Sequence, residues 1–218
     1  MEEIHIFHEK RGTSEVGSGI IHLCLATTER FIMPASIQIH SAFVALGSNK
    51  GNRFAHLENA LSSIATQCGD ILRRSSVFES TPLPVPGLTQ KTFLNMVIQL
   101  TTTMSPRTLL ERFHDIEATL GRDRKNEIMW GPRTIDIDLI TYDQMCSAEN
   151  PILPHPRFKD RDFVLIPLQE IAPEFIDPET KDSLHTLLTR LPEESWTILQ
   201  RVDSHEPLRQ QNLQTLAG

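Results

Sequence analysis

Residues 130–140 read WGPRTIDIDLI and place Asp136 and Asp138 two apart in a run that is otherwise strand-like. Successive strand side chains alternate faces, so the two aspartates share one face while Ile135, Ile137 and Leu139 share the other. Aspartate is depleted in strands, and two on one face need a reason. Either the strand turns an acidic face to solvent, the ordinary fate of charged side chains, or the pair forms the floor of a site. The surrounding sequence has to decide between them.

Around this strand, helical and strand periodicities alternate. AFVALG reads as a buried strand and is followed by the turn SNKGN. From about Arg53 to Gln67, Phe54, Leu57, Leu61 and Ile64 recur at helical spacing, and Gly69 stops the helix. ILRRSSVFES and FLNMVIQLTT read as two strands separated by the Pro-rich loop TPLPVPGLTQKT. Ser105 and Pro106 supply an N-cap and an N1 proline for a helix carrying Leu109, Phe113, Ile116 and Leu120, which ends at Gly121. TIDIDLITY is the last strand of this set.

The order β-α-β-β-α-β is that of a ferredoxin-like α+β fold, an antiparallel sheet with both helices on one face. Helices over Ile135, Ile137 and Leu139 leave Asp136 and Asp138 on the opposite face. FVLIPLQEI reads as a buried run and SLHTLLTRL as a short helix, so residues 150–190 are expected to cover part of that face and wall a cleft. The folded domain is accordingly placed at residues 41–191. Residues 1–40 form an N-terminal extension to which no role is assigned, and residues 192–218, which include QRVDSHEPLRQQNLQ, read as a polar tail or linker.

The net charge of −7 argues against broad binding to nucleic acid or to an anionic membrane, while leaving room for a local basic pocket. IIHLCLA, the most apolar early stretch, is too short to cross a bilayer. Cys24, Cys68 and Cys146 are odd in number and widely spaced, which fits a reducing compartment better than a disulfide framework. Glu2, Glu3, Glu9, Glu15 and Glu29 do not suit a secretory or transit peptide. A cytoplasmic location is expected, with a mitochondrial one left open.

Two carboxylates on a cleft floor suit Mg²⁺, which takes oxygen ligands and is typically held by one or two carboxylates plus substrate phosphates. Cations bracket the strand in sequence: Arg122, Arg124 and Lys125 before it, Arg133 directly ahead of it, and His155, Arg157, Lys159 and Arg161 after it. Singly each is an ordinary surface charge. Together with a D-x-D strand they suit a polyphosphate, because arginine binds phosphate bidentately. The chain lacks a G-x-x-x-x-G-K-[ST] loop, which argues against a P-loop enzyme.

WGPRTIDIDLI, with ALGSN, STP, FLN, IEATLGR and LPHPRFKDRDFVLIPLQEIAP in that arrangement over residues 41–178, resembles the 6-hydroxymethyl-7,8-dihydropterin pyrophosphokinases of folate biosynthesis. That family has a ferredoxin-like fold. The resemblance implies transfer of the β,γ-pyrophosphoryl group of ATP to the pterin hydroxymethyl oxygen, with release of AMP. It implies that Asp136 and Asp138 hold two Mg²⁺ ions, that Arg122 and Arg133 engage the phosphates during catalysis, and that Arg124, His155 and Arg161 bind ATP. On the acceptor side it implies that Phe93 and Phe163 sandwich the pterin, with Asn95 and the segment Thr81, Pro82 and Leu83 at its polar edge.

Phe93 stands where many members have Tyr, and Pro156 where bacterial members often have an aromatic residue. The loop from Arg122 to Trp130 is one residue longer than usual, so which of Arg124, Lys125 and Trp130 reach ligand stays open. Its polar sequence fits a lid over ATP. Eukaryotic relatives fuse this domain to an aldolase and a dihydropteroate synthase, so membership of, or descent from, a multifunctional folate enzyme is expected. Two alternatives remain at this point. Polymerase palms and nucleotidyl cyclases also set two metal-binding aspartates on such a sheet, and a degenerate interaction module could keep the fold without the chemistry.

Overall fold

Alternation along the first strand sets up both faces of the sheet. In the computed structural model, which describes residues 38–202, strand β1 (His40–Ser48) turns Ala42, Val44 and Leu46 into one apolar layer and Phe43 and Ala45 toward another. Helix α1 (Arg53–Gln67) is started by Asn52, whose side chain accepts the Ala55 N–H, and it lays Leu57, Ala60, Leu61 and Ile64 on the first layer. Each fully buried leucine or isoleucine of such a layer contributes on the order of 1.5–3 kcal/mol.

The run ILRRSSVFES is two short strands rather than one, β2 (Asp70–Arg74) and β3 (Val77–Ser80). The ladder breaks because the register shifts between Ile71 and Arg73, and because the Ser75 hydroxyl accepts the Val97 N–H. Strand β4 (Phe93–Thr102) follows the Pro-rich loop. Helix α2 (Pro106–Thr119) is capped by Ser105, which accepts the Thr108 N–H, and buries Leu109, Phe113 and Ile116. Strand β5 (Asp136–Tyr142) closes the ferredoxin-like set.

The opposite face is covered, as expected, by later segments. Helix α3 (Asp162–Ile171) and helix α4 (Leu184–Thr189) pack Val164, Leu165, Leu168, Leu184 and Leu187 against Val97, Ile140 and Phe158. The run FVLIPLQEI is therefore helical. Pro167 sits inside it and lacks an N–H, which leaves the Phe163 carbonyl without its usual donor one turn on.

Strand β6 (Ile198–Val202) pairs with β3, so the sheet continues past residue 191, where a polar tail was expected to begin. Asp162, at 0% exposure, explains the entry of this strand. It accepts the N–H groups of Thr197 at 2.6 Å and Ile198 at 2.7 Å, and the Thr197 hydroxyl. The sheet runs β5-β1-β4-β3-β6, with β2 also on β4, and every pairing is antiparallel. Most of the expected N-terminal extension, residues 1–37, and the remainder of the expected tail, residues 203–218, lie outside the described residues. Among the described residues no helix is long and apolar enough to cross a membrane.

Candidate active site

Register across three strands builds the floor. Asp136 stands opposite Gly47, which in turn stands opposite Asn95, and Asp138 stands opposite Ala45. Small residues between the acidic and amide side chains leave the floor open. Gly47 is needed for this, because a Cβ there would lie 2.9 Å from Asn95 Oδ1. The Asn95 amide nitrogen donates to Ser80 Oγ at 2.8 Å, which directs its carbonyl back over Gly47. One cleft is lined by Asp136, Asp138, Arg133, Arg161, Phe163, Phe93, Asn95, Thr81 and Leu83. Trp130, which the sequence leaves open, lines it too, and its carbonyl accepts from Gln90.

The two aspartates differ in their partners. Asp136 is gripped on both oxygens, by Arg133 Nη1 at 2.9 Å and by Arg122 Nη1. Burial alone would raise its pKa, but Arg133 and Arg122 outweigh this and hold it below the usual carboxylate value. Asp138 has only Arg161 Nη1 at 3.4 Å. Burial and the neighbouring Asp136 charge push it up to about 6. Arg161 also lies 5.5 Å from the centroid of the Phe163 ring, so one guanidinium stands between Asp138 and an aromatic wall.

Behind this pair stands a second carboxylate system. Glu117 of α2 is fully buried and takes Arg122 Nη1 at 2.7 Å, Arg124 Nε at 2.8 Å and the Ile137 N–H at 2.8 Å. Arg122 Nε reaches Glu127 at 3.0 Å, so Glu117, Glu127 and Asp136 share one arginine. Arg122 and Arg124 are thus placed behind the floor rather than along the cleft lining. A glutamate in a helix ordinarily reads as a surface residue; the signal that marks Glu117 is its place in IEATLGR, four residues after Phe113 and three before Leu120, on the apolar face of α2.

His155 also lies off the cleft lining. Its N–H donates to the Ile140 carbonyl at 2.8 Å, and its Nδ1 accepts the Arg157 N–H at 3.2 Å. Burial, with Arg161 and Arg157, pushes it down to about 4, so the ring is neutral near neutral pH. Pro82 is not part of the lining either. The Thr81 N–H is used by the Thr197 carbonyl at 2.9 Å and Pro82 has none, so the remaining backbone donor of this segment is the Leu83 N–H.

The ALGSN motif has a mechanical role. Asn49, at 2% exposure, exchanges backbone and side-chain hydrogen bonds with Arg133: its Oδ1 accepts the Arg133 N–H at 2.8 Å and its N–H donates to the Arg133 carbonyl. Its Nδ2 donates to Gln90 Oε1 at 3.2 Å.

The acidic pair is chemically suited to a divalent cation, being two hard oxygen donors on one face with Asp138 poorly neutralised. Among the described residues no three His, Cys, Asp or Glu side chains converge on one point. Two carboxylates suffice for Mg²⁺ when it arrives with phosphate oxygens of its own ligand.

Residues 43–173 match the family model described as 7,8-dihydro-6-hydroxymethylpterin-pyrophosphokinase. The chain belongs to this family. The 2-amino-4-hydroxy-6-hydroxymethyldihydropteridine pyrophosphokinase of Synechocystis sp. is 36% identical over 156 residues, covering 71% of this chain and 77% of its own length. The pyrophosphokinase of the same name from Bacillus subtilis is 39% identical over 133 residues, 60% of this chain and 77% of its own. A longer relative, the folic acid synthesis protein fol1 of Schizosaccharomyces pombe, is 34% identical over 166 residues, 75% of this chain but 22% of its own length. In fold, this chain is similar to wild-type Plasmodium falciparum HPPK-DHPS with STZ-DHP, with a TM-score of 0.58 at 15% identity. That alignment covers 75% of this chain and 45% of the Plasmodium one.

Proposed function

We propose that the cleft between β5, β4 and α3 is where this pyrophosphokinase works. The chain transfers the pyrophosphoryl group of ATP to the hydroxymethyl group of 6-hydroxymethyl-7,8-dihydropterin in folate biosynthesis, releasing AMP. The observation that carries the site assignment is that one cleft holds the acidic pair with Arg133 and Arg161 and also the two aromatic walls with Asn95. Neither alternative, another two-metal nucleotide enzyme or an inactive module, has an observation in its favour. The working unit is residues 40–202, because β6 belongs to the same sheet.

Asp136 and Asp138 would hold two Mg²⁺ ions, which neutralise phosphate oxygens and align the β-phosphorus when bound with ATP. Arg133 and Arg122, now gripping Asp136, are placed to turn from that carboxylate to a phosphate, exchanging one anion for another. Glu117 holds Arg122 close by during the exchange. Arg161 stands between Asp138 and Phe163, at the junction of donor and acceptor. His155, neutral and held by its backbone on β5, and Arg124 would bind ATP on the outer side of the floor.

On the acceptor side, Phe93 and Phe163 would stack the flat pterin, Asn95 Oδ1 would accept from its amino edge, and the Leu83 N–H would donate to its carbonyl edge. Trp130, on the loop after Arg122, would shield the junction from water.

The direct test is incubation with ATP, Mg²⁺ and the hydroxymethyl-dihydropterin, followed by chromatography. AMP formed one for one with pterin consumed is the expected outcome. ADP formation in its place would contradict the assignment.

A further inference from the structure

The loop of residues 81–92 leaves the sheet from β3 and returns into β4, and a hydrogen-bonded network centred on Arg53, Glu79 and Thr92 closes its neck. Arg53, the first residue of α1, directs Nη1 at Glu79 Oε1 (2.9 Å), the Thr92 carbonyl (2.8 Å) and Thr92 Oγ1 (2.7 Å). Thr92 Oγ1 donates to Glu79 Oε1 at 2.6 Å, and Gln200 of β6 donates to Glu79 Oε2 at 2.9 Å. The Thr92 and Gln200 hydrogen bonds hold Glu79 below the usual carboxylate value, so the network is charged as well as mostly enclosed.

The position of this network matters more than its strength. Glu79 is separated by one residue from Thr81, and Thr92 immediately precedes Phe93. The last ladder pair before the loop is Ser80 with Phe93, so β3 and β4 part where Arg53 ties them. Thr81 and Leu83 lie on one side of the resulting gap and Phe93 on the other, and all three line the cleft.

We infer that Arg53, Glu79 and Thr92 are positioning residues that set the width of the acceptor subsite. The inference rests on the reading of that part of the cleft as the pterin site. A flexible neck would have to be ordered each time an acceptor enters, and that entropy would be charged to acceptor affinity. Arg133 is linked to the loop through Asn49 and Gln90, and Arg53, Glu79 and Thr92 direct their hydrogen bonds at one another rather than at Asp136, Asp138 or Arg133, so ATP binding should change little.

The test uses steady-state kinetics for the pterin and equilibrium titration of ATP in its absence. Thr92→Val removes only the hydroxyl, Thr92→Ser keeps it, and Arg53→Ala removes the hub. Thr92→Val should raise the pterin KM about fivefold, the loss of roughly one hydrogen bond, and Arg53→Ala about tenfold or more. Thr92→Ser should match wild type, and kcat and the ATP Kd should stay within about twofold throughout. A pterin KM unchanged in both Thr92→Val and Arg53→Ala, or an ATP Kd that rises in step with it, would overturn the inference. Phe163→Ala is measured alongside: if it too leaves the pterin KM unchanged, the subsite reading itself falls, whereas a raised KM in Phe163→Ala alone removes only the neck.

Discussion

Glu117 Oε1 accepts the backbone N–H of Ile137 at 2.8 Å, so a buried helix carboxylate holds the one strand residue that lies between Asp136 and Asp138. The same carboxylate takes Arg122 and Arg124. Glu117→Gln keeps an oxygen for Ile137 but removes the charge opposite two guanidinium groups. Loss of a partner from a buried ion pair costs about 3 kcal/mol or more, and urea denaturation should show a drop of that size. A midpoint equal to wild type would mean that Glu127 and Asp136 suffice to neutralise Arg122.

The acidic pair should matter for rate rather than for folding. Asp136→Asn and Asp138→Asn should each lower turnover by roughly two to four orders of magnitude, the scale for removing a preorganised electrostatic group. Circular dichroism should show both variants folded. Near wild-type turnover at saturating Mg²⁺ in either one would remove it from the proposed metal site.

Asp138 carries a second, opposite expectation. Its pKa is raised from 3.8 to about 6 in the fold, so the folded chain binds this proton more tightly than the unfolded one. The charged carboxylate therefore costs nothing below pH 3.8, costs progressively more up to about 6, and costs its full amount above that. Asp138→Asn should stabilise the protein by about 1–2 kcal/mol near pH 8, allowing for solvent around a partly exposed group, and by almost nothing near pH 3.5. Thermal denaturation at the two pH values gives the comparison. A variant less stable than wild type near pH 8 would show that the Arg161 contact outweighs burial.

Phe163→Ala should weaken pterin binding by about 1–3 kcal/mol if nucleobase stacking on an aromatic ring is a fair guide. Arg161 would lose the ring it rests on but keep Asp138. ATP affinity without pterin should hardly change. Equal losses for both ligands in a titration would make Phe163 a packing residue of α3.

The parts of the site that could be seen in the sequence are those that depend on period and local chemistry. Alternation alone puts Asp136 and Asp138 opposite Ile137 and Leu139, and the Ser105-Pro106 start places α2 correctly. What escaped depends on partners distant in the chain. Strand β6 exposes Leu199, Gln200 and Arg201 and is held by β3 and by Asp162, so its own residues resemble a tail. FVLIPLQEI is a short apolar run with a proline, which periodicity cannot assign to helix or strand. Glu117 stands in IEATLGR on the same face as Phe113, but its partners are set only once the loop after α2 has folded Arg122 and Arg124 back onto it. Arg133 was visible as a cation beside the strand, but its tether to Asn49 was not.

The proposed site requires that the β-phosphorus, not the γ-phosphorus, be attacked over the floor formed by Asp136 and Asp138. ATP carrying distinguishable labels on its β- and γ-phosphates, incubated with Mg²⁺ and the hydroxymethyl-dihydropterin, tests it by mass spectrometry of the pterin product. Both labels should appear in that product in equal amount, with unlabelled AMP as the coproduct, because the two phosphoryl groups leave together. A pterin monophosphate bearing only the γ label, with ADP alongside, would contradict it.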